Sequence, residues 1–184
     1  MNYHLFETIN NLSGDGTLDT VMKATAKYAI FGVFAVIAVL CLLRLREREF
    51  RPVIASGAAL VVTFLLSLAG AAAYHEKRPF QTHRVHQLLA HASGQSFPSD
   101  HATAAFGVAL AVLAFLSWRW GVALFLVALL IGFSRVYDGI HYPGDIAGGL
   151  VAAIIGVGVV AAINNGTRAR PAGRRRLSAR TAGA

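Results

Sequence analysis

Five long apolar segments, separated by short polar ones, constrain the fold of this chain more than any other feature. A helix that crosses the hydrocarbon core of a bilayer needs about 20 mostly apolar residues. Only 14% of the 184 residues are charged, whereas about 25% is usual in a soluble domain. The sequence therefore predicts an all-α fold, a single-domain polytopic membrane helix bundle with about five transmembrane helices. The predicted spans are Ala24–Leu43, Val53–Tyr74, His101–Trp118, Trp120–Val136 and Ile146–Ile163.

The two ends of the chain differ from this apolar middle. Residues before Ala24 are mixed in polarity, and Tyr3–Leu12 is predicted to be a short interfacial helix that does not span the membrane. The N-terminus has neither the basic start nor the small-residue cleavage site of a signal peptide, so we do not expect one. We expect a membrane-embedded domain over residues 1–165 and a basic, disordered cytoplasmic tail over residues 166–184. Such a tail could bind acidic lipid, but we expect its arginines chiefly to determine topology.

Lysine and arginine residues predict the orientation of the bundle, because cytoplasmic loops carry an excess of them. Four arginines lie between residues 44 and 51, Arg119 lies between the third and fourth spans, and six more fill the tail. Five spans place these three regions on one face, which we expect to be cytoplasmic. The loop over residues 75–100 and the turn over residues 137–144 then share the outer face. The formal charge of +8 is thus better explained by topology than by nucleic-acid binding.

Polar residues on the predicted outer face have the chemistry of an anion site. Ionisable residues at membrane depth are costly and are therefore functional candidates. Arg78 and Arg135 carry planar guanidinium groups that suit bidentate phosphate binding. Ser99 is a suitable N-cap for a helix start, whose free N–H groups attract anions. A single arginine more often anchors a helix at the membrane edge, but two arginines beside a capped helix start favour phosphate.

The spacing of His141 and Asp145 favours nucleophilic catalysis. Pro143 is expected in the first turn of the last helix, so the Asp145 carboxylate four residues after His141 can reach one ring nitrogen. The other nitrogen is then free to attack. His101 is a second imidazole, suited to protonating a leaving group. Either histidine alone is more often a hydrogen-bonded interfacial residue, but the pair, set among two arginines and an aspartate, favours catalysis.

A metal site is the alternative for this outer loop. His83 and His86 could bind Zn²⁺, and the loop also holds other histidines and a few carboxylates. Structural zinc sites usually need four well-spaced ligands, and the loop has no cysteine, so solvated histidines are favoured and no metal is expected. The one cysteine, Cys41, lies in an apolar run, so an internal disulfide is excluded.

Three separated motifs resemble those of the type 2 phosphatidic acid phosphatase superfamily. They are Arg78-Pro79, then Pro98-Ser99-Asp100-His101, then Ser134-Arg135 with His141 and Asp145. The resemblance implies a membrane helix bundle with a metal-independent site. It implies that His141 is a nucleophile forming a phosphohistidine, that Asp145 orients it, and that His101 is the general acid. Phosphate would be held by Arg78, Ser99, Arg135 and the backbone at Asp100–His101.

Two positions depart from the family pattern. The family usually has a lysine seven residues before the first arginine, where this chain has Ala71, and the neighbouring Lys77 is the candidate for the missing charge. Asp100 replaces the usual glycine of the second motif. The Pro-Ser-Asp-His form of this motif, the short chain and the outward site together resemble the bacitracin-resistance type of undecaprenyl diphosphate phosphatase. Enzymes of this type regenerate the lipid carrier of cell-wall synthesis. The alternatives are a phosphatidylglycerophosphate or phosphatidic acid phosphatase and, in another class, a non-catalytic lipid-phosphate binder.

Overall fold

The computed structural model describes residues 2–168, and its side chains to residue 166. Within that range every regular element is helical, apart from one isolated bridge between Lys77 and Gln95. The helices are α1 Asn2–Asn10, α2 Gly16–Arg46, α3 Phe50–Ala73, α4 Pro79–Thr82, α5 Asp100–Ala111, α6 Trp118–Tyr137 and α7 Pro143–Arg168, with a π-helical turn, Val112–Leu116, after α5.

Four of these helices are long and apolar enough to cross a membrane: α2, α3, α6 and the part of α7 up to Gly166. The predicted all-α membrane bundle is therefore confirmed. The third predicted span, His101–Trp118, agrees within two residues with α5 and the π-helical turn, which together cover Asp100–Leu116 and are shorter than the other four helices. This segment lies at the centre of the bundle, where it packs against α2, α3, α6 and α7. Eight residues of α5 are buried, which is typical of a core helix surrounded by others.

The prediction for the start of the first long helix was wrong. Helix α2 begins at Gly16, eight positions before Ala24, because Asp15 caps it. One carboxylate oxygen of Asp15 accepts hydrogen bonds from the N–H groups of Thr17 and Leu18, at 2.9 and 3.0 Å. Such a cap satisfies donors that a helix start otherwise leaves unpaired. Polar residues in the first turns are therefore helical although they lie outside the apolar segment.

Close helix packing depends on glycines in α7. A Cβ atom at Gly156 would lie 2.4 Å from Oγ1 of Thr63 on α3. A Cβ atom at Gly149 would lie 2.8 Å from the backbone nitrogen of Thr103 on α5. Small residues let helix backbones approach closely where no aqueous hydrophobic effect drives association. These contacts fix α7 against the two helices that it must meet to position its first turn.

Hydrogen bonds draw the polar loops together at one end of the bundle, which we call the site end. Asn10 is buried and its amide donates to the carbonyl oxygens of His86 and Tyr137, at 2.9 and 2.8 Å. The N–H of Leu88 donates to the Asp138 carbonyl oxygen at 3.1 Å. Helix α1, the loop before α5 and the turn after α6 therefore form one connected layer.

The opposite end, which we call the basic end, carries the predicted cytoplasmic arginines between α2 and α3. Arg44 donates to the Leu116 carbonyl oxygen at 2.9 Å, so it satisfies the end of the π-helical turn. Helix α7 runs to Arg168, three residues past the predicted domain boundary at residue 165. The rest of the predicted tail, residues 169–184, lies outside the described residues.

Candidate active site

His141 lies in a tight turn between α6 and α7, and its position is set by the backbone. The N–H groups of Ile140 and His141 both donate to the Arg135 carbonyl oxygen, at 3.2 and 3.3 Å. Gly139 adopts φ +77°, a left-handed conformation that glycine takes without strain. Helix α7 then begins at Pro143, as predicted. The turn thus holds the imidazole directly above the first turn of α7.

Asp145 contacts His141 as the spacing of four residues predicts. Its Oδ2 atom lies 3.2 Å from Nδ1 of His141 and accepts a hydrogen bond from the N–H of Tyr142 at 2.8 Å. An ionised carboxylate only accepts hydrogen bonds, so Nδ1 of His141 carries the hydrogen of this pair. Nε2 of a neutral His141 therefore holds a lone pair, as nucleophilic attack requires.

Arg78 faces that lone pair. Its Nη1 atom lies 2.9 Å from Nε2 of His141 and 3.2 Å from the Ile140 carbonyl oxygen. The short helix α4, which begins at Pro79, starts directly after Arg78 and sets its direction. A phosphoryl group bound to Nε2 would meet the same guanidinium group, which could then donate to phosphoryl oxygens in place of the ring nitrogen.

Three buried donors around this centre have no hydrogen-bond partner among the described residues: Nε of Arg78, Nε of Arg135 and Oγ of Ser99. Arg78 and Arg135 are only 7% and 4% exposed. Arg135 is in the last turn of α6, where Nη1 is 3.4 Å from the Ala26 carbonyl oxygen. Buried donors are rarely left unpaired in proteins, and a phosphate with several acceptor oxygens satisfies such a set.

Ser99 occupies the N-cap position of α5, as predicted, but its hydroxyl makes no capping bond. The expected side-chain cap was wrong, and the buried hydroxyl is left available to a ligand. The Ser99 N–H instead donates to the Asp145 carbonyl oxygen at 3.2 Å, which joins the starts of α5 and α7. This contact brings the second and third motifs together.

His101 and Asp100 lie in the first turn of α5. His101 is half-buried and interacts electrostatically with Arg135, Asp100 and His91. The side chain of Asp100 is exposed, so any role of this position in phosphate binding rests on its backbone at the helix start. Both predicted residues are therefore at the site, whereas the contact of His101 with a leaving group stays a prediction.

Lys77 is placed apart from this cluster. Its side chain is exposed and lines a cavity of about 420 Å³ with His75, Glu76 and Gln95. Its backbone forms the bridge to Gln95, whose amide also donates to the Ala71 carbonyl oxygen. The family usually has a lysine at the position of Ala71. The contacts of Lys77 do not bring its charge to the His141 centre, so Lys77 does not replace that lysine there.

Burial controls the protonation state of His141. Its side chain is 2% exposed, and burial lowers the pKa of His141 to about 4. The hydrogen bond with Asp145 opposes this shift, and the positive charges of Arg135 and Arg78 add to it. The imidazole is therefore neutral at pH 7, so its lone pair is available for attack on phosphorus.

An apolar groove lies beside α5, the helix whose first turn carries Asp100 and His101. Its volume is about 270 Å³, and it lies between α2, α3 and α5. Apolar side chains line most of it, including Phe34, Leu60 and Phe64, and Asp100, the neighbour of His101 in sequence, is also part of the lining. The geometry suits a ligand with an apolar tail and a charged head group.

Residues 52–168 match the PAP2 superfamily. The chain belongs to this superfamily. It is 39% identical over 159 residues to the undecaprenyl-diphosphatase BcrC of Bacillus subtilis, covering 84% of this chain and 80% of that protein. It is 42% identical over 107 residues to the putative undecaprenyl-diphosphatase YbjG of Escherichia coli, covering 56% of this chain and 52% of that one.

A solved structure is similar to this fold. The crystal structure of Aquifex aeolicus LpxE superposes with a TM-score of 0.71 and 28% identity, covering 86% of this chain and 93% of that one. The resemblance predicted from the three motifs, including the bacitracin-resistance type, is thereby confirmed.

Sequence reasoning missed three residues of this PAP2 site. Ser96 is buried and its hydroxyl donates to Oδ2 of Asp145 at 2.5 Å, so it helps to hold the orienting carboxylate. Asp138 is buried beside Arg135, and burial raises the pKa of Asp138 to about 7. His91 comes within 6.4 Å of His141, measured between ring centroids. Only the folded loop reveals Ser96 and His91 as neighbours, whereas Asp138 lies between Arg135 and His141 in the chain and was not assigned a role.

The loop histidines considered as zinc ligands have other partners. The ring of His83 lies 4.0 Å from that of Tyr3, and Nδ1 of His86 is 2.9 Å from the Ser13 hydroxyl. Across residues 2–168 no group of three or more histidine, cysteine or acidic side chains is arranged to hold a metal ion.

Proposed function

We propose that this protein hydrolyses undecaprenyl diphosphate to undecaprenyl phosphate through a phosphohistidine at His141, recycling the lipid carrier of cell-wall synthesis. The observation that carries the reaction class is the arrangement of His141 between Asp145 and Arg78. One ring nitrogen meets a carboxylate at 3.2 Å and the other meets a guanidinium nitrogen at 2.9 Å. The substrate is supported by the Bacillus subtilis relative, which is an undecaprenyl-diphosphatase.

In the first step Nε2 of His141 attacks the terminal phosphorus. The bond between that phosphorus and the bridging oxygen breaks, and His101 gives a proton to the departing lipid phosphate. Arg78, Arg135, Ser99 and the backbone at Asp100–His101 bind the phosphoryl oxygens. Charge develops on those oxygens in the transition state, and buried guanidinium groups stabilise it more strongly than water does.

In the second step water attacks the phosphorus of the phosphohistidine. His101 takes a proton from the water, the bond between phosphorus and Nε2 breaks, and inorganic phosphate leaves. Asp145 keeps Nδ1 protonated in both steps, so Nε2 regains its lone pair when phosphate departs. These steps use side chains and helix-start N–H groups, and no cofactor takes part.

The lipid tail lies in the groove between α2, α3 and α5, and the head group enters beside Asp100. The lining by Phe34, Leu60 and Phe64 supports an isoprenoid chain that approaches from within the bilayer. Lys77 stays at the rim, where its charge attracts the diphosphate over a longer range.

Phosphate release from a lipid panel tests the proposal. Purified wild-type protein should show the highest kcat/KM with undecaprenyl diphosphate, above phosphatidylglycerophosphate and phosphatidic acid, and His141→Ala should show none. A preference for either glycerolipid would contradict the proposed substrate, but it would leave the proposed reaction class intact. Tight binding of all three lipids without phosphate release would favour a non-catalytic binder.

The proposed location is the cell membrane with the site end facing outward, which the arginine distribution supports. In a Cys41→Ala background, Ser93→Cys and Glu47→Cys form a matched pair, because both side chains are exposed at opposite ends of the bundle. A membrane-impermeant thiol reagent should label Ser93→Cys in intact cells and Glu47→Cys only after lysis. The reverse pattern would contradict the orientation.

A further inference from the structure

His91 lies on the loop between α4 and α5 and faces the candidate nucleophile. Its ring centroid is 6.4 Å from that of His141, with the two ring planes at 75°. The charged and titratable groups around it come from four separate segments: Arg78, Asp100, His101, Arg135 and His141. His91 therefore belongs to the same cluster as the residues that the motifs identify.

The loop that carries His91 is held on both sides. Asn10 accepts a hydrogen bond from the His86 N–H at 2.9 Å and donates to the His86 carbonyl oxygen at 2.9 Å. The N–H of Leu88 donates to the Asp138 carbonyl oxygen at 3.1 Å, and the N–H of Ser96 donates to the Glu76 carbonyl oxygen at 2.7 Å. His91 is thus placed over the site by contacts before and after it in the chain.

One hydrogen bond defines which ring nitrogen of His91 is available. Nδ1 lies 3.2 Å from the Ala92 carbonyl oxygen. A carbonyl oxygen can only accept, so Nδ1 carries the hydrogen and Nε2 of the neutral ring carries a lone pair. Burial lowers the pKa of His91, the Ala92 bond opposes the shift, and the charges of Arg78 and Arg135 add to it. Near neutral pH the ring accordingly presents an acceptor.

The separation of the two imidazoles suits an oxygen atom between them. A hydrogen bond between charged nitrogen and oxygen groups spans about 2.7–2.9 Å, so one such bond, added to the bonds from Nε2 of His141 through phosphorus to oxygen, connects two rings that do not touch. In the proposed geometry a phosphoryl group on Nε2 of His141 directs one of its oxygens into this space. A terminal phosphate has a second ionisable proton that titrates near pH 6. A bridging phosphate, which is bonded to other groups through two of its oxygens, has no such proton.

We propose that Nε2 of His91 binds the terminal phosphoryl group and takes over its remaining proton, so that the group is transferred as a dianion between His91, Arg78 and Arg135. The proton moves from the phosphate oxygen to Nε2 and returns to the inorganic phosphate when the product leaves. No proton is consumed in this exchange. The role rests on the proposed function and deepens it, because it selects a terminal phosphate over a bridging one.

Kinetics of three variants test the contact. His91→Ala should lower kcat/KM by on the order of 10²-fold, the scale for removing one ligand of a transferring group. His91→Gln keeps a polar group that cannot titrate, so it should recover part of this loss and shift the alkaline limb of the kcat/KM profile, whereas the contribution of His101 to that limb stays. His83→Gln is the matched control, since His83 is on the same loop and packs on Tyr3. Equal losses in His91→Gln and His91→Ala, with unchanged pH profiles, would overturn the proposal.

A direct measurement separates this proposal from the proposed function. Protein labelled with ¹⁵N-histidine is titrated with inorganic phosphate, and with orthovanadate, in the absence of lipid. The His91 signal, assigned by its loss in His91→Gln, should change from the neutral form with hydrogen on Nδ1 to the doubly protonated form. A His91 ring that stays neutral with phosphate bound would overturn the contact.

The two failures are distinguishable because inorganic phosphate carries no lipid. If wild-type protein does not hydrolyse undecaprenyl diphosphate but phosphate protonates His91, the proposed function fails and the His91 contact stands. If the lipid is hydrolysed and neither phosphate nor vanadate alters His91, the His91 contact fails alone.

Discussion

The two ends of the bundle use charge in opposite ways. At the basic end Arg44 pairs with Glu47 and Glu49 at 3.3 and 2.9 Å, and these side chains are 36%, 61% and 51% exposed. Pairs in such positions contribute about 0–1 kcal/mol to stability. At the site end Arg78 and Arg135 are almost fully buried, and each keeps an unpartnered Nε.

Under the proposed function and orientation, this difference separates charges that serve topology from charges that serve chemistry. Burying an ionised group costs several kcal/mol, so a fold that keeps two buried guanidinium groups without carboxylate partners must recover that cost elsewhere. In the proposed function a bound phosphate does so at the site end. At the basic end the charges remain in contact with solvent and can be exchanged with little effect.

Removal of His141 should have the largest effect on activity. His141→Ala should abolish turnover, by more than the roughly 10²–10⁴-fold that general acid–base catalysis alone contributes, because no other group then forms the covalent bond. Rapid-quench experiments should detect an acid-labile phosphoenzyme in the wild type and none in the variant. A phosphoenzyme in His141→Ala would show that the nucleophile is another residue. Arg44→Ala, at the basic end, should retain wild-type turnover.

Asp145→Asn should have a smaller effect, which we expect to be about 10³-fold in kcat. The amide keeps the shape of the carboxylate but can present a donor to Nδ1 of His141, so the ring loses its fixed tautomer. Phosphate release and circular dichroism, measured together, separate this effect from unfolding. An activity close to wild type would mean that the 3.2 Å contact does not orient the ring.

Arg78→Lys and Arg44→Lys compare the same exchange at the two ends. At the site end we expect a loss of about 10²-fold in kcat/KM, because an ammonium group cannot reproduce the fork of a guanidinium group. At the basic end we expect a change within about twofold, since exposed pairs contribute little. Similar losses in both variants would remove the distinction between the two ends.

The pKa of His141 gives a prediction on pH. Because burial lowers this pKa to about 4, roughly nine-tenths of the ring should stay neutral at pH 5, whereas a solvated histidine is mostly protonated there. Histidine ¹⁵N resonances, with His141→Ala for assignment, measure this directly. The proton should bind only as the pH falls through about 4, and a midpoint near 6.5 would show that the ring is solvated.

The smallest expected effect is that of metal removal. Arg78, Arg135 and helix-start N–H groups can stabilise the phosphoryl charge, so EDTA should leave phosphate release unchanged. Orthovanadate, which mimics five-coordinate phosphorus, should inhibit under the same conditions. Loss of activity with EDTA and recovery with added Mg²⁺ or Zn²⁺ would contradict a site built from arginines.

The sequence alone predicted the membrane bundle, its family and the contact between His141 and Asp145, for physical reasons that are local. Apolar length defines a span, and a spacing of four residues at a helix start places two side chains together. The start of α2 was missed because its cap, Asp15, lies beyond the apolar segment. The bounds of the third span were predicted within two residues, but its central position was not, because a buried central helix is as apolar as one that faces lipid.

Only the tertiary structure decided which polar residues join the motif residues. Ser96 and His91 reach His141 and Asp145 through a loop with no periodic pattern, across 45 or more positions of the chain. Lys77, adjacent to Arg78 in sequence, is exposed instead, because neighbouring residues on an extended segment point in opposite directions. Spacing along a helix determines a contact, whereas contacts across a long loop depend on the hydrogen bonds that fix the loop to the bundle.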